Sequence, residues 1–194
     1  MKRDFPFWIR WAHIYLSMFS FVLILFFAVT GITLNHPDAL SGKTRTVKYS
    51  GQVNGSWIKT EESIQVSKLE MVEYFRSTYG ITAGFSDFLL DDSQAMISFK
   101  GPGYTADAFI DRITGEFELT TTSSGFIAVM NDLHKGRDTG SAWKWLIDAA
   151  AVLMIIVSLS GLTMIFFIRY RRAAGLWVLL IGGAVGMGMW WIAG

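Results

Sequence analysis

Three histidines, His13, His36 and His134, are the only ones in this chain of 194 residues, and their placement makes them the first candidates for chemistry. His13 stands near the start of an apolar run at 11–35. His36 follows directly after that run, and His134 comes shortly before a second run at 143–168. As a helix, the stretch from His13 to His36 rises roughly 35 Å. One span would then carry a histidine near each membrane face, with His134 at about the depth of His36. The plain reading is three interfacial histidines. The sharper one starts from the fact that an ionisable residue in or beside a span is a functional candidate, and that imidazole is a common axial ligand of haem iron. A porphyrin is flat, so its two ligands approach from opposite faces at one depth. His36 and His134 meet that condition within one chain or across a dimer. His13 has no histidine partner at its depth, and a second copy of the chain would supply one. Met18 and Met164 are the alternative ligands.

A flat group between helices also needs close backbone approach. Gly31, in Val29-Thr30-Gly31-Ile32-Thr33, and Gly161, in Leu159-Ser160-Gly161-Leu162-Thr163, are the candidates. Small-residue helix packing is the competing explanation for both, and it is the favoured one for the GxxxG spacing of Gly182 and Gly186. Arg10, Arg169, Arg171 and Arg172 flank the level of His13. Lys135, Arg137 and Lys144 flank the level of the other two histidines. Such cations suit porphyrin propionates, with Arg10 and Arg137 taken as cofactor candidates, and they suit lipid phosphates equally. Asp148, one turn into the second run, either reaches the outer interface or pairs with Lys144, with a proton or substrate role as the weaker reading.

These residues need membrane helices to hold them. Charged residues make up 17% of the chain, against roughly 25% in soluble domains, and they are segregated from the apolar runs. Residues 11–35, 143–168 and 174–193 each have the ~20 apolar residues that cross a bilayer. Trp8, Trp11, Trp143, Trp145, Trp190 and Trp191 sit at span ends, where amphipathic rings settle. The first run is too long for a signal-peptide core and lacks a small-x-small cleavage site, so it reads as an uncleaved anchor. Lys2, Arg3 and Arg10 precede the first span, and Arg169, Arg171 and Arg172 join the second to the third. The positive-inside rule puts both groups in the cytoplasm, hence the long loop and the C-terminus outside. Cysteine is absent, which excludes disulfides, thiolate metal sites and covalent c-type haem. No concentrated basic face suggests nucleic acid.

Within the loop, Leu69, Val72, Phe75 and Tyr79 show helical spacing across 62–79, with Gly80 as the stop. Segments 84–90, 94–100, 105–112 and 116–122 read as strands, with a turn at Thr114-Gly115. Residues 123–135 return to helical character, with Phe126, Val129, Met130 and Leu133 on an apolar face suited to a membrane surface. The expected fold is an α-helical membrane protein with three transmembrane helices and a small α+β extracytoplasmic domain inserted between helices 1 and 2. Its parts are a first helix at 1–36, the outer domain at 37–122, an interfacial helix and connector at 123–142, and helices at 143–168 and 174–193.

Arg10-Trp11-Ala12-His13 leading to Val29-Thr30-Gly31 resembles the opening helix of PepSY-associated transmembrane proteins. Leu133-His134-Lys135-Gly136, followed by Trp145 and Leu159-Ser160-Gly161, resembles the helix after the outer domain in that family. Phe109-Ile110-Asp111-Arg112-Ile113-Thr114-Gly115-Glu116 is similar to the last strand and turn of a PepSY domain. Larger members of the family have more spans and are linked to ferric-siderophore reduction with b-type haem. This half-sized chain is more similar to the short inner-membrane ferric iron reductases of the Vibrio type, which assist ferrous iron uptake. The resemblance implies haem b as cofactor and carries the family's ligand histidines onto His13, His36 and His134. Because one chain has too few histidines for two bis-histidine haems, it also implies a homodimer.

The leading expectation is therefore a b-type cytochrome of the bacterial inner membrane that passes electrons outward to ferric iron or a ferric chelate. No GxGxxG follows a strand, so an external donor, a reductase or a quinol, is expected. The alternative is a membrane-anchored PepSY binding or regulatory module without redox activity. A transporter subunit is the weakest reading, since the spans hold few polar residues. The orientation has a direct check. Reporters fused at Gly55 and after Gly194 should both register the outer compartment, and a cytoplasmic signal at either one refutes the assignment.

Overall fold

A computed structural model describes residues 5–40, 42–58 and 67–194. Lys2, Arg3 and the expected helical residues 62–66 lie outside the described residues. Three helices among the described residues are long and apolar enough to cross a membrane. They are α1 (Phe5–Asn35), α5 (Ser141–Phe167) and α6 (Arg172–Ala193). Each begins before the apolar run that announced it, at Phe5, Ser141 and Arg172, and α5 ends one residue short of its run, at Phe167. Between α1 and α5 come a short α2 (Pro37–Leu40), strand β1 (Arg45–Gln52), helix α3 (Lys68–Tyr79), strands β2 (Gly84–Leu90), β3 (Gln94–Gly101), β4 (Tyr104–Asp111) and β5 (Glu116–Ser123), and helix α4 (Phe126–Lys135). The folded domain is thus inserted between the first and second long helices.

The chain divides into two units. One takes Phe26 and the described residues before it, together with Leu146–Gly194, and the other takes Phe27–Trp145. In the first unit α1 and α5 run antiparallel. His13 meets Val157 and Ser160, and Phe5 meets Phe167 edge-on. Ser20 and Ala150 are fully buried, as small residues are where membrane helices come close. Most of the remaining apolar side chains in these helices face outward.

The second unit is built on an antiparallel five-stranded sheet in the order β1-β5-β4-β3-β2. One face alternates into the core through Ala95, Ile97 and Phe99 on β3, Ala106, Ala108 and Ile110 on β4, and Phe117 and Leu119 on β5. Helix α3 covers that face with Met71, Val72 and Phe75, and the Phe75 ring stands edge-on to Phe117 at 5.0 Å. Gly80 ends α3 in the left-handed conformation, φ 65°, which a side chain would resist. The opposite face is polar. Ser98 donates to Asp107 (2.7 Å) and Lys48 pairs with Glu118 (2.6 Å). At the β4–β5 turn, the Thr114 and Ile113 amides donate to Asp111, which holds its carboxyl below the usual carboxylate range.

The four strands read from the sequence are present, with ends shifted by a residue, while β1 was not anticipated. Its side chains are exposed along nearly its whole length and it pairs only with β5. An edge strand of that kind carries little hydrophobic alternation to read. The core has a simple test. Phe75→Ala removes a fully buried ring and should cost about 3–5 kcal/mol, read as a lowered unfolding midpoint of the purified protein in detergent.

Candidate histidine sites

Two of the three histidines are held by the same kind of seat. His13 lies on α1, half-buried, with Nδ1 2.8 Å from the Ser160 hydroxyl and 3.1 Å from the Val157 carbonyl of α5. Its ring lies over Gly161, where an added Cβ would stand 3.1 Å from Cε1. His134 lies on α4, also half-buried, with Nδ1 2.6 Å from the Thr30 hydroxyl of α1. Its ring passes over Gly31, where an added Cβ would stand 3.8 Å from Cε1. Phe27 meets the His134 ring edge-on at 5.1 Å. In both seats a hydroxyl residue followed by glycine receives the imidazole. The hydroxyl meets Nδ1 and the glycine gives the ring room.

The tautomer follows from the partners. A carbonyl oxygen only accepts, so the Val157 contact requires a proton on His13 Nδ1. Ser160 donates its own proton to the same Val157 carbonyl at 2.8 Å, and therefore accepts from the histidine. The Thr30 hydroxyl lies 3.4 Å from the Phe27 carbonyl, and a proton given there leaves its oxygen as the acceptor from His134. Nε2 of each histidine makes no hydrogen bond among the described residues. A neutral imidazole protonated at Nδ1 keeps its lone pair at Nε2, the state in which it binds a metal.

The seats are fixed from several sides. Around His134, Thr33 donates to Asn131 Oδ1 (2.6 Å), Trp143 Nε1 donates to the Leu133 carbonyl (2.8 Å), and the Gly103 amide donates to Asp132 (2.9 Å). Gly136 closes α4 in the left-handed conformation, φ 65°. Beside His13, a cleft of about 560 Å3 is lined by His13, Val157, Gly161, Leu162, Val178 and Leu179. That size is in the range of cofactor pockets, which are mostly apolar with a few placed polar groups. A larger groove of about 850 Å3 lies on the polar sheet face among Gln52, Asp111, Glu116 and Glu118. It has no histidine and does not suit a porphyrin. Among the described residues no three His, Asp or Glu side chains gather to hold a bare metal ion.

The remaining candidates are placed differently. His36 follows the end of α1, exposed, with its backbone amide bonded to the Thr33 carbonyl (3.3 Å) and no bond to its ring among the described residues. Arg10 and Arg137 are exposed; Arg137 borders a polar cleft with Lys100, Asp132 and Asp138. Met18 is 71% exposed. Asp148 is exposed and forms no ion pair with Lys144 among the described residues. Gly182 and Gly186 have open space where a Cβ would stand. Gly31 and Gly161 accommodate the histidine rings themselves. Thr30 and Ser160 were missed as partners of these rings, although both stood inside the two segments that share the order apolar, hydroxyl, glycine, apolar, threonine.

The two glycines should respond unequally. Gly161→Ala sets a methyl 3.1 Å from the ring and should destabilise by about 1 kcal/mol or more through overpacking. Gly31→Ala makes an ordinary contact and should be neutral or slightly stabilising, because alanine favours the helix. Unfolding of both variants in detergent checks the contrast.

Comparison with curated proteins and with solved structures gives no match. A family model, described as PepSY_TM-like, matches residues 7–192. With three candidate membrane helices, an inserted antiparallel sheet domain and this match along nearly its whole length, the chain belongs to the PepSY_TM-like family and is a multi-pass membrane protein.

Proposed function

We propose that this protein is a b-type cytochrome of the bacterial inner membrane, which receives electrons on the cytoplasmic side and reduces ferric iron or a ferric chelate on the outer side. The observation that carries the reading is the pair of matched seats. Each engages Nδ1 of a half-buried histidine, and Nε2 has no hydrogen bond among the described residues. Nothing in an ordinary structural histidine requires that one nitrogen be left without a partner twice, beside a glycine each time. The apolar cleft at His13 fits the body of a porphyrin, and a single imidazole in apolar surroundings is the donor set a haem uses.

His13 and His134 would hold haem b through Nε2, with His36 as the candidate second ligand, within one chain or across a dimer. Haem supplies one-electron chemistry when bound. The protein's part is to hold the imidazoles, exclude water around them and keep the two levels apart along α1. Arg10 and Arg137, both exposed, are the candidate partners of propionates or lipid phosphates. A homodimer belongs to this reading, since a second copy would bring another His13 to the first one, and the bare glycine face of α6 offers a surface for close helix approach. The donor is a reductase or a quinol.

Absorption spectra of the detergent-purified protein before and after dithionite should show low-spin b-type haem. His134→Ala and His13→Ala should each remove a part of it, and native mass measurement should give a dimer. In proteoliposomes carrying an internal reductant, the wild type should produce ferrous iron outside, and the double variant should not. A colourless wild type, or full haem in the double variant, overturns the reading and favours a membrane-anchored binding module.

A further inference from the structure

The two seats are alike in a detail that ligation alone does not demand. Thr30 and Ser160 each direct their own proton into their own helix, to the carbonyl three residues earlier. The hydroxyl oxygen also stands against Nδ1 of a histidine of a different helix, and with its proton given to the backbone it is left to accept from that ring. A hydroxyl free to rotate could equally donate to the ring and favour the opposite tautomer. Spending its proton on the backbone removes that choice. At His13 the Val157 carbonyl adds a second acceptor for the same nitrogen.

We propose that Thr30 and Ser160 are positioning residues that lock His134 and His13 in the Nδ1–H tautomer, so that Nε2 is the nitrogen presented for ligation. This rests on the haem reading for its purpose but not for its chemistry. A hydrogen bond from the outer ring nitrogen of a ligand histidine fixes its tautomer and orientation and raises its basicity. A more basic ligand favours ferric over ferrous iron, so the same bond lowers the potential of the bound group.

The seats differ in redundancy. His134 Nδ1 has the Thr30 hydroxyl as its one acceptor among the described residues, whereas His13 keeps the Val157 carbonyl when Ser160 is removed. Thr30→Ala should therefore have the larger effect. Thr30→Ser and Ser160→Thr, which retain the hydroxyl, should behave as wild type.

The first test needs no haem. Imidazole 15N spectra of the histidine-labelled full-length protein in detergent, stripped of any haem and taken at about pH 9 to keep the rings neutral, report the tautomer directly. His36→Ala simplifies the assignment. His13 and His134 should show the Nδ1–H pattern. Thr30→Ala should shift His134 toward the Nε2–H form that a free histidine side chain favours in water, while Ser160→Ala should leave His13 largely unchanged. Nε2–H signals from His134 in the wild type, or no change in Thr30→Ala, overturn the proposal whatever the haem content. The second test uses the haem-loaded protein. Thr30→Ala should weaken haem retention at the His134 site about 10–100-fold, raise the midpoint potential of the remainder and shift its low-spin electron paramagnetic resonance signal, with Thr30→Ser restoring all three. If Thr30→Ala keeps the wild-type potential and spectrum, the positioning role fails while the haem reading stands.

Discussion

An imidazole carried on an apolar helix brings two ring nitrogens into surroundings that offer few partners, and an unsatisfied buried polar group costs about 1–3 kcal/mol. Both histidine seats are shaped by satisfying one of these nitrogens. The partner must come from a neighbouring helix, and a short serine or threonine hydroxyl reaches only if the backbones are close. At the His13 seat closeness in turn requires glycine at the adjacent position, since a methyl at Gly161 would press on the ring, whereas at Gly31 a methyl would make an ordinary contact. Hydroxyl, glycine and histidine are therefore one device spread over two helices. It pins α1 to α5 in one unit and α1 to α4 in the other.

His134 depends on the sheet domain as much as on the helix it touches. Helix α4 is tethered to the β3–β4 turn by the Asp132 bond to the Gly103 amide. Val129 fills the space above Gly103 so closely that no side chain could stand there. The turn is held by β3 and β4, whose inner residues Ile97, Phe99, Ala106 and Ala108 are fully buried beneath α3. The core of a small domain, through a glycine turn, thus sets where an imidazole meets Thr30. This gives the sheet domain a role in positioning His134, and it explains why α4 is bound from both sides although it has only ten residues.

How much of this could be read in advance depended on the strength of the periodicity. The long apolar runs and the alternating β3, with Ala95, Ile97 and Phe99 on one face, announce themselves. Strand β1 does not, because an exposed edge strand has no buried face to enforce alternation. The histidines, the two glycine motifs and the match in depth between Gly161 and His13 were legible from residue type and helical rise. The part played by Thr30 and Ser160 was not, because sequence spacing says which residues share a level and not which atoms face each other. The glycines had been assigned to a flat cofactor on the ground that it needs close approach. That requirement is real, and in this fold the group that approaches is the histidine ring.

The polar side chains of the long helices also limit what can cross them. In α1, Ser17, Ser20 and Thr30 donate to carbonyls of their own helix, and in α5 Ser158, Ser160 and Thr163 do the same. Hydroxyls bonded in this way satisfy themselves locally, so they form no continuous line of sites for an ion or a proton. Within the two units, the imidazoles that reach across to a neighbouring helix are isolated points in apolar surroundings. Isolated points serve a charge that can jump between them without a solvated path, which is a property of electrons and not of ions. A conduit would need the opposite design, with hydroxyls and carbonyls left open along one face. Under the electron-transfer reading proposed above, these helices would serve as a support for separated redox centres, and the local bonding of their hydroxyls speaks against a transporter.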